Sequence, residues 1–195
     1  MRLPSLGRSW RFSDRVKLKM IRIASGRPPA DILKMLHYRR EFFGEPFTAW
    51  VHRVLRGPSE WSIGERELMA TFVSNLNHCR FCAGSHGAIA DATLGPEVTA
   101  AVLDDWRTAP VRPSLRAAFA LLEALTLRPD EVGPELVEAA YAEGVTEQGV
   151  RDVVHVCAIF CTINRVADAV DFAIPDDKGF QGDAYQLLKR GYAIS

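Results

Sequence analysis

The chain is punctuated for helices and has almost nothing that would build a sheet. Gly95-Pro96, Pro110, Pro113, Pro129, Gly133-Pro134 and Gly144 cut it into segments whose apolar residues recur every three to four positions. Alternating Val/Ile/Thr runs bounded by Asn-Gly turns are absent. An all-α domain of roughly eight helices follows. The spacing predicts helices at about 30–43, 46–56, 63–76, 79–92, 96–107, 113–127, 134–143 and 146–172. Ser62-Ile63-Gly64-Glu65 reads as a capping box, with Ser62 at the N-cap and Glu65 answering its backbone N–H. Asn75-Leu76-Asn77-His78 reads as a break, because Asn tolerates the left-handed conformation that ends helices.

Charge is balanced over the chain but not along it. Residues 1–40 hold 11 Lys/Arg against 2 Asp/Glu, and the remainder holds 13 against 22. Such a basic arm can bind nucleic acid or anionic lipid, or pack on an acidic body. Trp10, Phe12, Met20 and Ile23 interleave the charges, which favours packing. The arm has no aromatic-basic RNA signature and no helix-turn-helix pattern, so the reading expects no nucleic acid. Met1 to Arg8 carries charge without a long apolar run, and no membrane span is expected. Four cysteines without a secretory leader fit a reducing, cytoplasmic compartment.

In that compartment Cys79-Arg80-Phe81-Cys82 is a reactive pair rather than a staple. With His86, the thiols lie at roughly 0°, 300° and 340° around a helix, from about 100° per residue. Cys79 falls at a helix N-terminus, where free N–H groups favour the thiolate. His86 follows Cys82 by four residues, within hydrogen-bonding reach of its sulfur. Each cysteine has an argument for being the attacking sulfur. Glu67 lies on the preceding helix and faces the thiols if the chain folds back at 75–78. A carboxylate there can accept a thiol proton through His86 or a water. A zinc site would need three or four ligands, and no second Cys-x-x-Cys exists, so no metal or other cofactor is expected. Cys157 and Cys161 read as buried hydrophobes, and His37 and His52 as surface groups. His155 reads as a core or interface residue; Asn164, Arg165 and Asp168 can line an interface or the pocket, and Arg165 and Asp168 also read as a local i, i+3 pair.

The stretch from Gly64-Glu65-Arg66-Glu67 through Asn75-Leu76-Asn77-His78-Cys79-Arg80-Phe81-Cys82-Ala83-Gly84-Ser85-His86-Gly87 resembles the core motif of the alkylhydroperoxidase D-type (AhpD-like) proteins of the carboxymuconolactone decarboxylase superfamily. Tyr38-Arg39-Arg40-Glu41-Phe42-Phe43, Arg56-Gly57-Pro58-Ser59 and Ile163-Asn164-Arg165-Val166-Ala167-Asp168-Ala169 are similar to its peroxidase-related branch. The resemblance divides the chain into a basic arm (1–27), a helical domain (28–175) and a tail with one short helix (176–195). It implies a homo-oligomer that reduces hydroperoxides or partner disulfides and is restored by an external dithiol protein. It assigns attack to Cys82, resolution to Cys79, and the proton relay to Glu67 and His86. Phe81 stands where some members carry a relay His, and His78 stands where Gly is common. Two other classes compete: a non-redox lactone decarboxylase, whose chemistry needs no dithiol, and a binding protein acting through the arm.

Overall fold

The computed structural model describes Arg2, residues 10–38 and residues 40–192. The rest of the expected arm before Trp10, Arg39 and the end of the tail lie outside the described residues. Within them the chain is all helical. Ten α-helices run in order: α1 Phe12–Ser25, α2 Asp31–Tyr38, α3 Glu45–Arg56, α4 Ile63–Leu76, α5 Arg80–Leu94, α6 Pro96–Asp105, α7 Pro113–Leu127, α8 Pro134–Ala142, α9 Glu147–Val170 and α10 Asp177–Arg190.

Helix α4 is the axis of the fold. Leu68, Met69, Ala70 and Val73 are fully buried, because α3, α5, α7 and α9 all pack on it. Its start is the expected capping box: Glu65 N donates to Ser62 Oγ at 3.2 Å, and Ser62 N to Glu65 Oε2 at 2.7 Å. Such a box is worth roughly 1 kcal/mol. Helix α5 returns antiparallel along α4, so close that a Cβ on Gly64 would lie 2.6 Å from Thr93 Oγ1. Phe72 of α4 meets Phe119 of α7 at 4.9 Å between ring centroids. Trp61 is buried and donates its indole N–H to the Gly149 carbonyl at 3.0 Å, fixing the start of α9. By length and composition alone α9 is apolar enough to cross a membrane. Its apolar residues Val153, Val156, Ile159, Phe160 and Ile163 are used in the core instead.

Three further differences from expectation have local causes. The segment expected as one helix over 30–43 stops at Tyr38, and a turn brings Gly44 against the Arg40 backbone, where a Cβ would lie 2.5 Å from the Arg40 carbonyl oxygen. The arm contains a helix, α1. Its inner face is buried Asp14 and Leu18, and Asp14 binds Arg40 Nη1 at 3.1 Å. The tail holds a 14-residue helix, α10, rather than a short one. Asp176 caps it, and Phe180 packs so tightly on Gly84 of α5 that a Cβ there would sit 2.5 Å from the ring.

Candidate active site

The turn between α4 and α5 creates the thiol site. Asn77, His78 and Cys79 donate back to Val73, Asn75 and Ser74 carbonyls at 2.9–3.0 Å, closing α4. The left-handed residue is His78 (φ 58°), not an Asn as the sequence suggests. Asn77 stays right-handed because its side chain is committed elsewhere, to Asn164 Oδ1 at 3.1 Å and Cys161 Sγ at 3.6 Å. The reversal leaves Cys79 as the N-cap of α5 and Cys82 in its first turn.

Both thiols are free and buried. Each shifts the other, in opposite directions. The Cys82 thiol and backbone amide lower Cys79 below an ordinary thiol, against burial and the Asp168 carboxylate. The reciprocal contact and burial push Cys82 well up, eased by a hydrogen bond with Asn164. Asn164 is itself buried and donates to Ser74 Oγ at 3.0 Å. Cys79, with Ser74, Asn75, His78, Arg80 and Ala83, lines a cavity of about 290 Å³.

A polar cluster on the same hairpin centres on Glu67, which is wholly buried. Its Oε1 accepts from Arg56 Nη1 at 2.5 Å and from the Tyr192 hydroxyl at 2.8 Å. Its Oε2 faces His86 Nδ1 at 2.6 Å. Burial would raise the Glu67 carboxyl, but His86, Arg56 and Tyr192 outweigh it and hold the group below the usual carboxylate range. An ionised carboxylate only accepts, so Nδ1 of His86 carries the hydrogen shared with Oε2, and Nε2 is the ring nitrogen turned away from the carboxylate. Burial and the Glu67 charge push the Tyr192 phenol well up, keeping it a donor. Tyr192 also stacks on His86 at 5.8 Å and lies under the Arg56 guanidinium at 4.8 Å.

Of the four expected site residues, the structure joins Glu67 to His86 and sets Cys79 and Cys82 at the start of α5, all on the α4–α5 hairpin. Tyr192 was not singled out by the sequence, and Arg56 stood in a segment of family likeness without a role. Asn164 and Asp168, read from the sequence as lining an interface or the pocket, both shift the thiols. Arg165 donates to the Cys161 carbonyl at 2.6 Å, while Asp168 faces Cys79. His37 is buried, and His52 accepts from the Tyr192 backbone N–H at 3.2 Å, so neither is the free surface group expected. His155 is exposed, edge-on to Trp50. Cys157 and Cys161 are more than inert hydrophobes. Their sulfurs stand 3.8 Å apart, and Cys157, Asn77 and Arg165 lower Cys161 to about 5.

No family model and no curated protein matches the sequence. Solved structures do. An uncharacterized peroxidase-related protein from Silicibacter sp. TM1040 is 24% identical, with 89% of this chain and 90% of that one covered and a TM-score of 0.75. The alkylhydroperoxidase AhpD core of an uncharacterized peroxidase-related protein from Ralstonia eutropha JMP134 is 22% identical, with 93% of each chain covered and a TM-score of 0.75. The apo debrominase Bmp8 is 18% identical, with 90% of this chain and 96% of that one covered and a TM-score of 0.69. The chain thus has the all-helical fold of the AhpD-like, peroxidase-related proteins.

Proposed function

We propose that the protein is a thiol-dependent oxidoreductase that reduces hydroperoxides, or a partner's disulfide, through Cys79 and Cys82. The observation that carries this reading is two free, buried thiols at the start of α5, on the same hairpin as a Glu67 carboxylate held 2.6 Å from His86 Nδ1. One thiolate attacks the outer peroxide oxygen, giving a sulfenic acid and releasing an alkoxide that takes a proton from the relay. The second thiol then displaces hydroxide, which leaves as water, and the disulfide closes. Two thiol hydrogens and one hydroperoxide become one disulfide, one alcohol and one water. An external dithiol protein returns the two electrons. The reading places the enzyme in a reducing cytoplasm as a homo-oligomer with no cofactor. Electrostatics favour Cys79 as the thiolate, while the family resemblance and the neighbouring His86 favour Cys82.

Thiol trapping with mass spectrometry tests this. The reduced protein, Cys79→Ser and Cys82→Ser each meet one equivalent of an organic hydroperoxide. The expected result is a rapid Cys79–Cys82 disulfide, with a sulfenic acid trapped on the surviving thiol of one variant, which identifies the attacker. Thiols that remain reduced would overturn the peroxidase reading. A disulfide formed only from a partner's disulfide would move the assignment to thiol exchange.

A further inference from the structure

The segment after α10 does something that a surface tail does not. Gly191 (φ 70°) turns the chain inward, and Tyr192 N donates to His52 Nδ1 at 3.2 Å. The turn depends on glycine: a Cβ on Gly191 would stand 2.5 Å from His52 Cε1. Arg56 Nη2 reaches the Leu187 carbonyl at 3.4 Å and ties α10 to the same guanidinium that binds Glu67. The segment thereby delivers the Tyr192 hydroxyl to a buried carboxylate 125 residues away.

Glu67 has two oxygens and three neighbours that can donate. Arg56 and Tyr192 both occupy Oε1, and His86 has Oε2 to itself. Without the phenol, Arg56 would be the sole donor on Oε1. The carboxylate could then rotate, and Nδ1, which has the Tyr192 oxygen 3.3 Å away, would lose its second neighbour. The imidazole would sample both tautomers, and Nε2 would carry the hydrogen part of the time.

We propose that the Gly191–Tyr192 strap is a positioning element of the thiol site: by filling Oε1 of Glu67 alongside Arg56, the Tyr192 phenol reserves Oε2 for His86 and fixes Nε2 as the nitrogen that exchanges protons. The proposal rests on the oxidoreductase reading for its kinetic consequence but not for its geometry. Tyr192 acts through His86 and Glu67, and its ring remains in Tyr192→Phe, which loses one oxygen and keeps the stacking. Gly191→Ala perturbs the same element differently, leaving the phenol chemically intact while its Cβ forces the strap from His52.

The experiment pairs two readouts on the full chain. Nitrogen-15 NMR of the histidine ring nitrogens reports the His86 tautomer. Stopped-flow with an organic hydroperoxide reports disulfide formation across pH. In the wild type, His86 shows the Nδ1–H form. Tyr192→Phe and Gly191→Ala both show mixed tautomers, unchanged helicity, and disulfide formation slowed by about tenfold with an altered pH profile, a fraction of the roughly 10²–10⁴ that positioned acid–base groups supply. A wild-type ring signature in both variants would overturn the proposal. So would a changed signature in Tyr192→Phe with wild-type rate at every pH in a protein that does reduce peroxide. If the wild type fails to react with peroxide but the variants still change the His86 signature, the strap assignment stands and the peroxidase reading falls.

Discussion

Replacing Arg56 with Met would expose how the polar cluster is held together. Arg56 and Glu67 form an ion pair at 2.5 Å with side chains 7% and 0% exposed. At an effective dielectric near 20, two charges 4 Å apart attract by about 4 kcal/mol. Removing one partner of such a buried pair costs about 3–5 kcal/mol, because the other charge is left unpaired. His86 and Tyr192 still hold the carboxylate, which places Arg56→Met near the lower end, at about 3 kcal/mol. For a chain of this size that is a fall in Tm of about 6–12 °C. Urea unfolding of the wild type, Arg56→Met, Glu67→Gln and the double variant, at one protein concentration, measures it. The double variant should lose about 2 kcal/mol less than the sum of the singles, since it removes both charges. The pH dependence has a definite sign. The Glu67 carboxyl lies below its ordinary value in the folded state, so its contribution is present above about pH 4.5 and is lost as pH falls through the folded value. The gap between wild type and Arg56→Met should therefore narrow as pH falls below about 4.5. A loss under about 1 kcal/mol, or strict additivity in the cycle, would refute the argument that a buried charge pair holds this site.

Four further outcomes are expected. Alkylation at neutral pH followed by mass spectrometry should label Cys79 before Cys82, and Cys82→Ala should slow Cys79 severalfold by removing the contact that lowers it; Cys82 labelling first would contradict the split. Cys161, lowered to about 5, should alkylate at nearly constant rate between pH 6 and 8, where an ordinary thiol rises on the order of fiftyfold, and Cys157→Ala should restore the steep rise. Asn164→Leu should cost about 1–3 kcal/mol in urea unfolding, because it strips partners from Ser74 and Asn77; a neutral result would mean that water replaces them. In a spectrophotometric titration one of the 4 tyrosines should resist ionisation until the protein unfolds; since the Tyr192 value is raised, its stabilisation is complete below about pH 10 and is lost as pH climbs past that point.

What was legible in the sequence is what depends on near neighbours. Proline and glycine marked α7, whose expected span of 113–127 matches Pro113–Leu127, and the capping box of Ser62 and Glu65 opened α4 where the sequence placed it. The thiol hairpin was legible because Glu67, Cys79, Cys82 and His86 all lie on two helices joined by a tight turn. The role of Arg56, and Tyr192 altogether, were not, because what defines them is a shared oxygen atom rather than a spacing. Helix α1 was missed because its buried face is an aspartate and a leucine, while Phe12, Met20 and Ile23 point outward at 84%, 64% and 72% exposure. Its hydrophobic stripe is therefore on the wrong side for a core reading. His78 took the left-handed position because the amide of Asn77 binds across to α9, a demand that no local propensity records.

The order in which the polypeptide is made gives the Tyr192 contact another meaning. Translation delivers Cys79 and Cys82 more than a hundred residues before Tyr192. The hairpin with its dithiol can form while the ribosome is still elongating α6 to α10, but the donor that completes the Glu67 shell does not yet exist. A nascent chain thus carries its sulfurs beside an incompletely clamped His86, and the full polar shell is assembled only after α10 has docked on α5.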